Sequence, residues 1–91
     1  MMYPQTGVPS TVTSTGAVKA TATQAVVIVL RAGSDAATVI LRDTDGSGDI
    51  KARLIAPANT MAPLYGNFKF PTACHATLSG TGPAVDVYEA G

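Results

Sequence analysis

The sequence predicts an all-β fold. The expected form is a single antiparallel β-sandwich or jelly-roll-like barrel of seven to eight short strands with an extended N-terminal arm. Three observations lead there. Short β-branched or alternating runs recur along the chain, separated by clusters of Gly, Pro, Asp and Asn. No stretch of ten or more residues keeps a 3.6-residue apolar period free of Gly, Pro or β-branched clusters, so no long helix is expected. The chain has 91 residues, enough for one small domain.

Residues 1–17 carry no charged side chain and are rich in Thr, Ser, Gly and Pro. Little apolar surface is present to offset ordering entropy, so this stretch reads as an extended arm, with the β-domain over residues 18–91. Tyr3, Val8 and Val12 are spaced along the arm as anchors for a neighbouring subunit. Residues 18–23 alternate Val/Ala with Lys/Thr, as a half-exposed strand does.

Residues 25–42 read AVVIVLR, AGSD, AATVILR. Two β-branched runs around Gly33 and Asp35 predict a β-hairpin, with Val26, Ile28 and Leu30 facing Ala37, Val39 and Leu41. The other face carries Val27, Val29, Thr38 and Ile40, and is apolar too. A half-exposed strand alternates apolar and polar residues; these runs do not, so their second face is expected to be covered. Val27, Val29 and Ile40, with the aromatic Tyr88, are therefore candidate interface residues.

A polar turn, residues 43–49, predicts a second hairpin into residues 50–55, where Ile50, Ala52 and Leu54 alternate with Lys51 and Arg53. Residues 56–59 break the pattern. Residues 60–65 suggest an edge strand, because Pro63 lacks a ladder donor, and Gly66-Asn67 suggests a turn. Phe68 and Phe70 share one face and are expected to fill the core. Strands are predicted over Cys74–Ser79 and Ala84–Glu89, joined by a Gly80-Thr81-Gly82-Pro83 turn.

Charged residues make up 13% of the chain, about half of the roughly 25% usual in soluble domains. The shortage points to a surface covered by other subunits or to an extracellular or virion setting. The formal net charge is zero; with no basic excess, no nucleic-acid partner is expected. Cys74 is the single cysteine, so no intrachain disulfide can form. The start shows no positive n-region or apolar h-region, and the longest apolar run is far short of the ~20 residues that cross a bilayer. A soluble product made in the cytoplasm, without a membrane partner, is the expectation.

Four residues invite a calcium reading: Asp43, Asp45, Ser47 and Asp49 cluster oxygens on a Gly-rich turn. The position that should supply a bidentate Glu is Leu54, and the flanks read as strands, so a polar hairpin turn is the favoured reading. Cys74 and His75 adjoin, but neighbours on a strand point to opposite faces. No second His or Cys completes a zinc site. Asp86 and Glu89 do not form a paired-carboxylate arrangement. Arg31, Arg42, Lys51 and Arg53 could line a stripe with Asp35, Asp43, Asp45 and Asp49. No catalytic residue, cofactor or enzymatic activity is expected.

From residue 25 onward the order of segments AGSDAATVILRDTDGSG, IKARLIAPAN, GNFKF and LSGTGPAVDVYE resembles a family of small tailed-bacteriophage virion proteins. The resemblance spans about three quarters of the chain and leaves out the arm. It implies a non-enzymatic β-sandwich present in many copies on the virion, made in the host cytoplasm. The role it suggests first is a head decoration, or cement, protein. Such a protein would bind the phage major capsid protein as a homo-oligomer, with a trimer favoured. A tail, fibre or head–tail connector component is the alternative within that class. A carbohydrate-binding β-sandwich module, in which Tyr65 or Tyr88 would stack on sugar, is the alternative from another.

Overall fold

A computed structural model describes residues 9–89 and shows eight strands and no helix among them. They are β1 (Ser10–Val12), β2 (Gly16–Lys19), β3 (Thr23–Arg31), β4 (Ala37–Asp43), β5 (Ile50–Ala56), β6 (Met61–Phe70), β7 (Cys74–Ser79) and β8 (Ala84–Glu89). They form two antiparallel four-stranded sheets, ordered β1-β8-β3-β6 and β2-β7-β4-β5. Strand pairs β1–β8, β2–β7, β3–β6 and β4–β5 are those of one long hairpin rolled across two sheets. This is jelly-roll topology, and the all-β sandwich expected from the sequence is the fold found.

Alternation explains the core. Ile28, Leu30, Val85 and Val87 point inward from one sheet, and Val39, Leu41, Ala52, Leu54 and Ala76 from the other. Phe70 is the largest fully buried side chain, and Phe68 packs against the same cluster, as their shared face predicted.

The hairpin expected over residues 25–42 is not formed. β3 pairs with β6 and β8, whereas β4 pairs with β5 and β7, so the link after Arg31 carries the chain from one sheet to the other. Ile28 and Leu30 do confront Val39 and Leu41, but across the sandwich. An arch between sheets buries the same residues as a hairpin within one, so the apolar pattern fits both. The hairpin over residues 43–49 does form, at the tip of the roll. Ile50 does not point inward as expected: a register shift between Leu41 and Arg42 sets it opposite Arg42, and it is 46% exposed. The turn expected at Gly66-Asn67 lies within β6, where the chain bulges opposite Val26.

Part of the stretch expected as an arm lies in the sandwich instead: Ser10–Val12 and Gly16–Lys19 are edge strands, one on each sheet. Carboxylates of β8 hold them there. Asp86 Oδ1 accepts from Thr11 Oγ1 at 2.6 Å, and Glu89 Oε2 accepts from Lys19 Nζ at 2.9 Å. The separate strand expected at residues 18–23 is interrupted by a bend at residues 20–21. Deleting residues 1–17 is therefore expected to cost roughly 1–2 kcal/mol by uncovering β7 and β8. Denaturant midpoints of the truncated and full chains measure the cost.

Candidate functional site

The feature that stands apart from the fold is the outer face of the β1-β8-β3-β6 sheet. Register places Val27 between Tyr65 on β6 and Tyr88 on β8. The next row places Val29 between Pro63 and Asp86, and the one after it Arg31 between Met61 and Ala84. Val26 adds to the apolar group. The register against both neighbours shifts between Ala25 and Val27, and this bulge turns two consecutive valines outward while Ala25 and Ile28 stay inside. Val26, Val27, Val29, Tyr65 and Tyr88 line a shallow groove of about 370 Å³. Tyr65 is 72% exposed and Met61 66%.

The surroundings of this face are polar, and the charge nearest its centre is neutralised within the chain. Arg31 Nη2 lies 3.0 Å from Asp86 Oδ1, the same oxygen that binds Thr11. Asp86 is nearly buried, so its charge is held by these two donors rather than by water. At the opposite end, Gln24 donates to Asn67, and Glu89 meets Lys19 at the margin between the sheets. The Lys19 side chain, foremost, holds the Glu89 carboxyl below the usual carboxylate range.

Val27, Val29 and Tyr88 of the expected interface are thus brought together. Ile40 is not among them. It lies on the outer face of the opposite sheet, beside Arg53 and Thr77, because β4 belongs to that sheet. Val12 packs against the core from β1, so it is no free anchor. Tyr3 and Val8 lie outside the described residues. The expected set left out Val26, Met61 and Tyr65. The Val26-Val27 doublet, which interrupts strict alternation between Ala25 and Ile28, was the available sign of a bulge.

The Asp/Gly turn has a structural use for its carboxylates. Asp43 Oδ1 accepts from the Thr72 amide at 2.9 Å and the Ala73 amide at 3.2 Å, fastening the β6–β7 turn. Asp45 Oδ1 accepts from the Ser47 amide and hydroxyl at 2.9 and 3.0 Å. Among the described residues no group of three or more His, Cys, Asp or Glu is placed to hold a metal ion. The calcium candidates Asp43, Asp45, Ser47 and Asp49 are therefore not gathered into a cage. Gly48 is required here because a Cβ would stand 1.7 Å from the Asp43 carbonyl oxygen.

The Thr72 amide, then that of Ala73, keeps the Asp43 carboxyl below its ordinary 3.8, against the pull of desolvation. The unfolded chain binds the proton more readily, so the contribution of Asp43 is present above that value and lost as pH falls through the folded one. Asp43→Asn is expected to flatten the acid limb of the stability profile below about pH 4. Denaturant midpoints across that range check it; an unchanged limb counts against the turn-fastening role.

Cys74 and His75 diverge as expected. Cys74 is fully buried, and burial foremost pushes its thiol up to about 12. His75 lies on the outer face beside Gly46. Enclosed by the core cluster, the thiol packs there as a small apolar side chain. The charged stripe is not assembled either. Arg31 is paired with Asp86, Arg42 donates to the Gly48 carbonyl, and Asp35 accepts from Thr81.

No family model, curated protein or solved structure matches the chain.

Proposed function

We propose that this chain is a non-enzymatic adhesive protein of a bacteriophage virion, a decoration protein that stabilises the head shell by covering it in many copies. The observation that carries this reading is the apolar outer face formed by Val26, Val27, Val29, Tyr65 and Tyr88 on a sandwich that is already closed. A free monomer of this size has little reason to show water two tyrosines over a valine floor. The low charge of the whole chain points the same way. Jelly rolls recur in viral capsid and lectin domains; that is an analogy of fold and lends support without naming a site.

The lectin side of the analogy favours a second reading, because Tyr65 and Tyr88, the two residues singled out for sugar stacking, share this face. Apart from the phenol hydroxyls, however, the groove is lined by valines. Sugar hydroxyls would find few partners there, so an apolar protein surface suits it better. Quantifying the chain in purified particles and locating it by electron microscopy tests the proposal. Hundreds of copies on the head are expected. A dozen or fewer would move it to a connector or tail, and its absence from particles would overturn the reading. Glycan binding lost in Tyr65→Ala would replace it.

A further inference from the structure

We propose that two copies of this chain pair face to face through the outer side of the β1-β8-β3-β6 sheet, about a two-fold axis running along β3. The inference rests on the adhesive reading and names the first partner of that face as a second copy.

Four observations converge on it. The centre of the face is apolar and only shallowly grooved, and its rows are laid out symmetrically about β3. With the axis along β3, Val27 meets its own counterpart, and Tyr65 of each copy meets Tyr88 of the other, since the two tyrosines flank Val27 in one row. The charge beside the centre is already matched within each copy: the same axis sets Arg31 opposite its own counterpart, but each Arg31 is held by its own Asp86 at 3.0 Å. The Arg31 pair therefore meets as two neutralised groups. Among the described residues, the one cation on this face without an ion pair, Lys69, lies at its far end opposite Gln24, on β6 and off the axis.

The third observation concerns the edge. β6 is an open edge of this sheet, and an open edge invites strand addition. The Ala32 amide donates to the Thr60 carbonyl at 2.9 Å. Hydrogen-bonded pairs alternate along an antiparallel ladder, so Val29↔Pro63 is a pair without ladder bonds. The Pro63 nitrogen thus looks out along the free edge, where it offers no donor and interrupts a further strand. That leaves the face for association. Fourth, the broad side of the molecule measures 38 × 33 Å against a thickness of 17 Å. This exceeds the roughly 800 Å² per partner that a stable contact uses. Among the described residues nothing covers it.

A two-fold contact gives even-numbered assemblies, in place of the trimer that the family resemblance implies. Sedimentation equilibrium of the full chain tests this. The expected mass is twice 9.2 kDa, dissociating on dilution below micromolar concentration, about the range of a modest interface. Tyr65→Glu should weaken pairing at least tenfold with an unchanged circular dichroism spectrum. Ile55→Glu, on the opposite sheet and 66% exposed in the wild type, should leave pairing intact. A monomer up to ~100 µM, a trimeric mass, or loss of assembly in Ile55→Glu alone would overturn the proposal. So would a monomer that dimerises only when residues 1–8 are deleted, which would make that segment the occupant. Dimers that fail to bind any shell would overturn the virion reading and leave the pairing standing.

Discussion

Phe70→Ala is expected to lower the unfolding free energy by about 3–5 kcal/mol. Phe70 is fully exposed to the core cluster and not at all to water, and it is the largest side chain so placed. It sits at the end of β6, opposite Thr23, close to the bend that leads from β2 into β3. Its loss removes transfer free energy and leaves a cavity that a two-sheet sandwich, held by ladders on both sides, closes poorly. A chain of this length has on the order of 5–10 kcal/mol in total, so the variant should be near the limit of folding. Denaturant midpoints measure the effect. Phe70→Leu should recover most of it, and a cost below about 1 kcal/mol for the alanine variant would show that the core is not centred here.

Gly33→Ala is expected to cost about 2–4 kcal/mol, large for one methyl group. A Cβ at this position would stand 2.0 Å from the Thr81 carbonyl oxygen and 2.9 Å from that of Gly82. Backbone lies on the far side, so no side chain can swing away. The β3–β4 link would have to separate from the β7–β8 turn. That would strain the bond from the Asn59 amide to the Gly33 carbonyl, 2.8 Å, and the one from Thr81 Oγ1 to Asp35 Oδ2, 2.6 Å. Gly16→Ala is the internal control, because nothing lies within 4 Å of a Cβ there. It should change the midpoint little. Equal effects at the two positions would contradict the close approach of the two loops.

Gly33 also shows what could be read from the sequence and what could not. The residue was recognisable as a breaker between two strands, and both strands form. Its purpose was not recognisable, because the backbone that it approaches belongs to Thr81 and Gly82, almost fifty positions away in the chain. The same holds for strand pairing. In a rolled hairpin only β4 and β5 are neighbours both in sequence and in a sheet, so local turn chemistry could find that hairpin and no other. Alternation found the inward residues Ile28, Leu30, Val39, Leu41 and Leu54, because burial on one side is a local signature. It could not say whether Ile28 and Val39 met within a sheet or across the core.

The candidate site was half legible for a related reason. Val27 and Val29 stood out because an apolar residue on both faces of a strand calls for a cover. Tyr65 joins them only through the β3–β6 register, and Ile40 leaves them only because β4 crosses to the other sheet. Val12 looked like part of a loose arm because the stretch around it is polar and short. Its strand is held by Asp86, a carboxylate in the last strand, and long-range anchors of that kind leave no mark in local composition.

The central claim is that the valine and tyrosine face of the β1-β8-β3-β6 sheet is covered when the protein is at work. Hydroxyl-radical labelling of Met61, Tyr65 and Tyr88, followed by mass spectrometry at low and at high protein concentration, tests it directly. All three should label readily in dilute solution and become protected together on assembly, while Ile55 on the opposite sheet keeps its reactivity. Unchanged labelling of Tyr65 and Tyr88 across that range, in solution and on particles alike, would contradict the account.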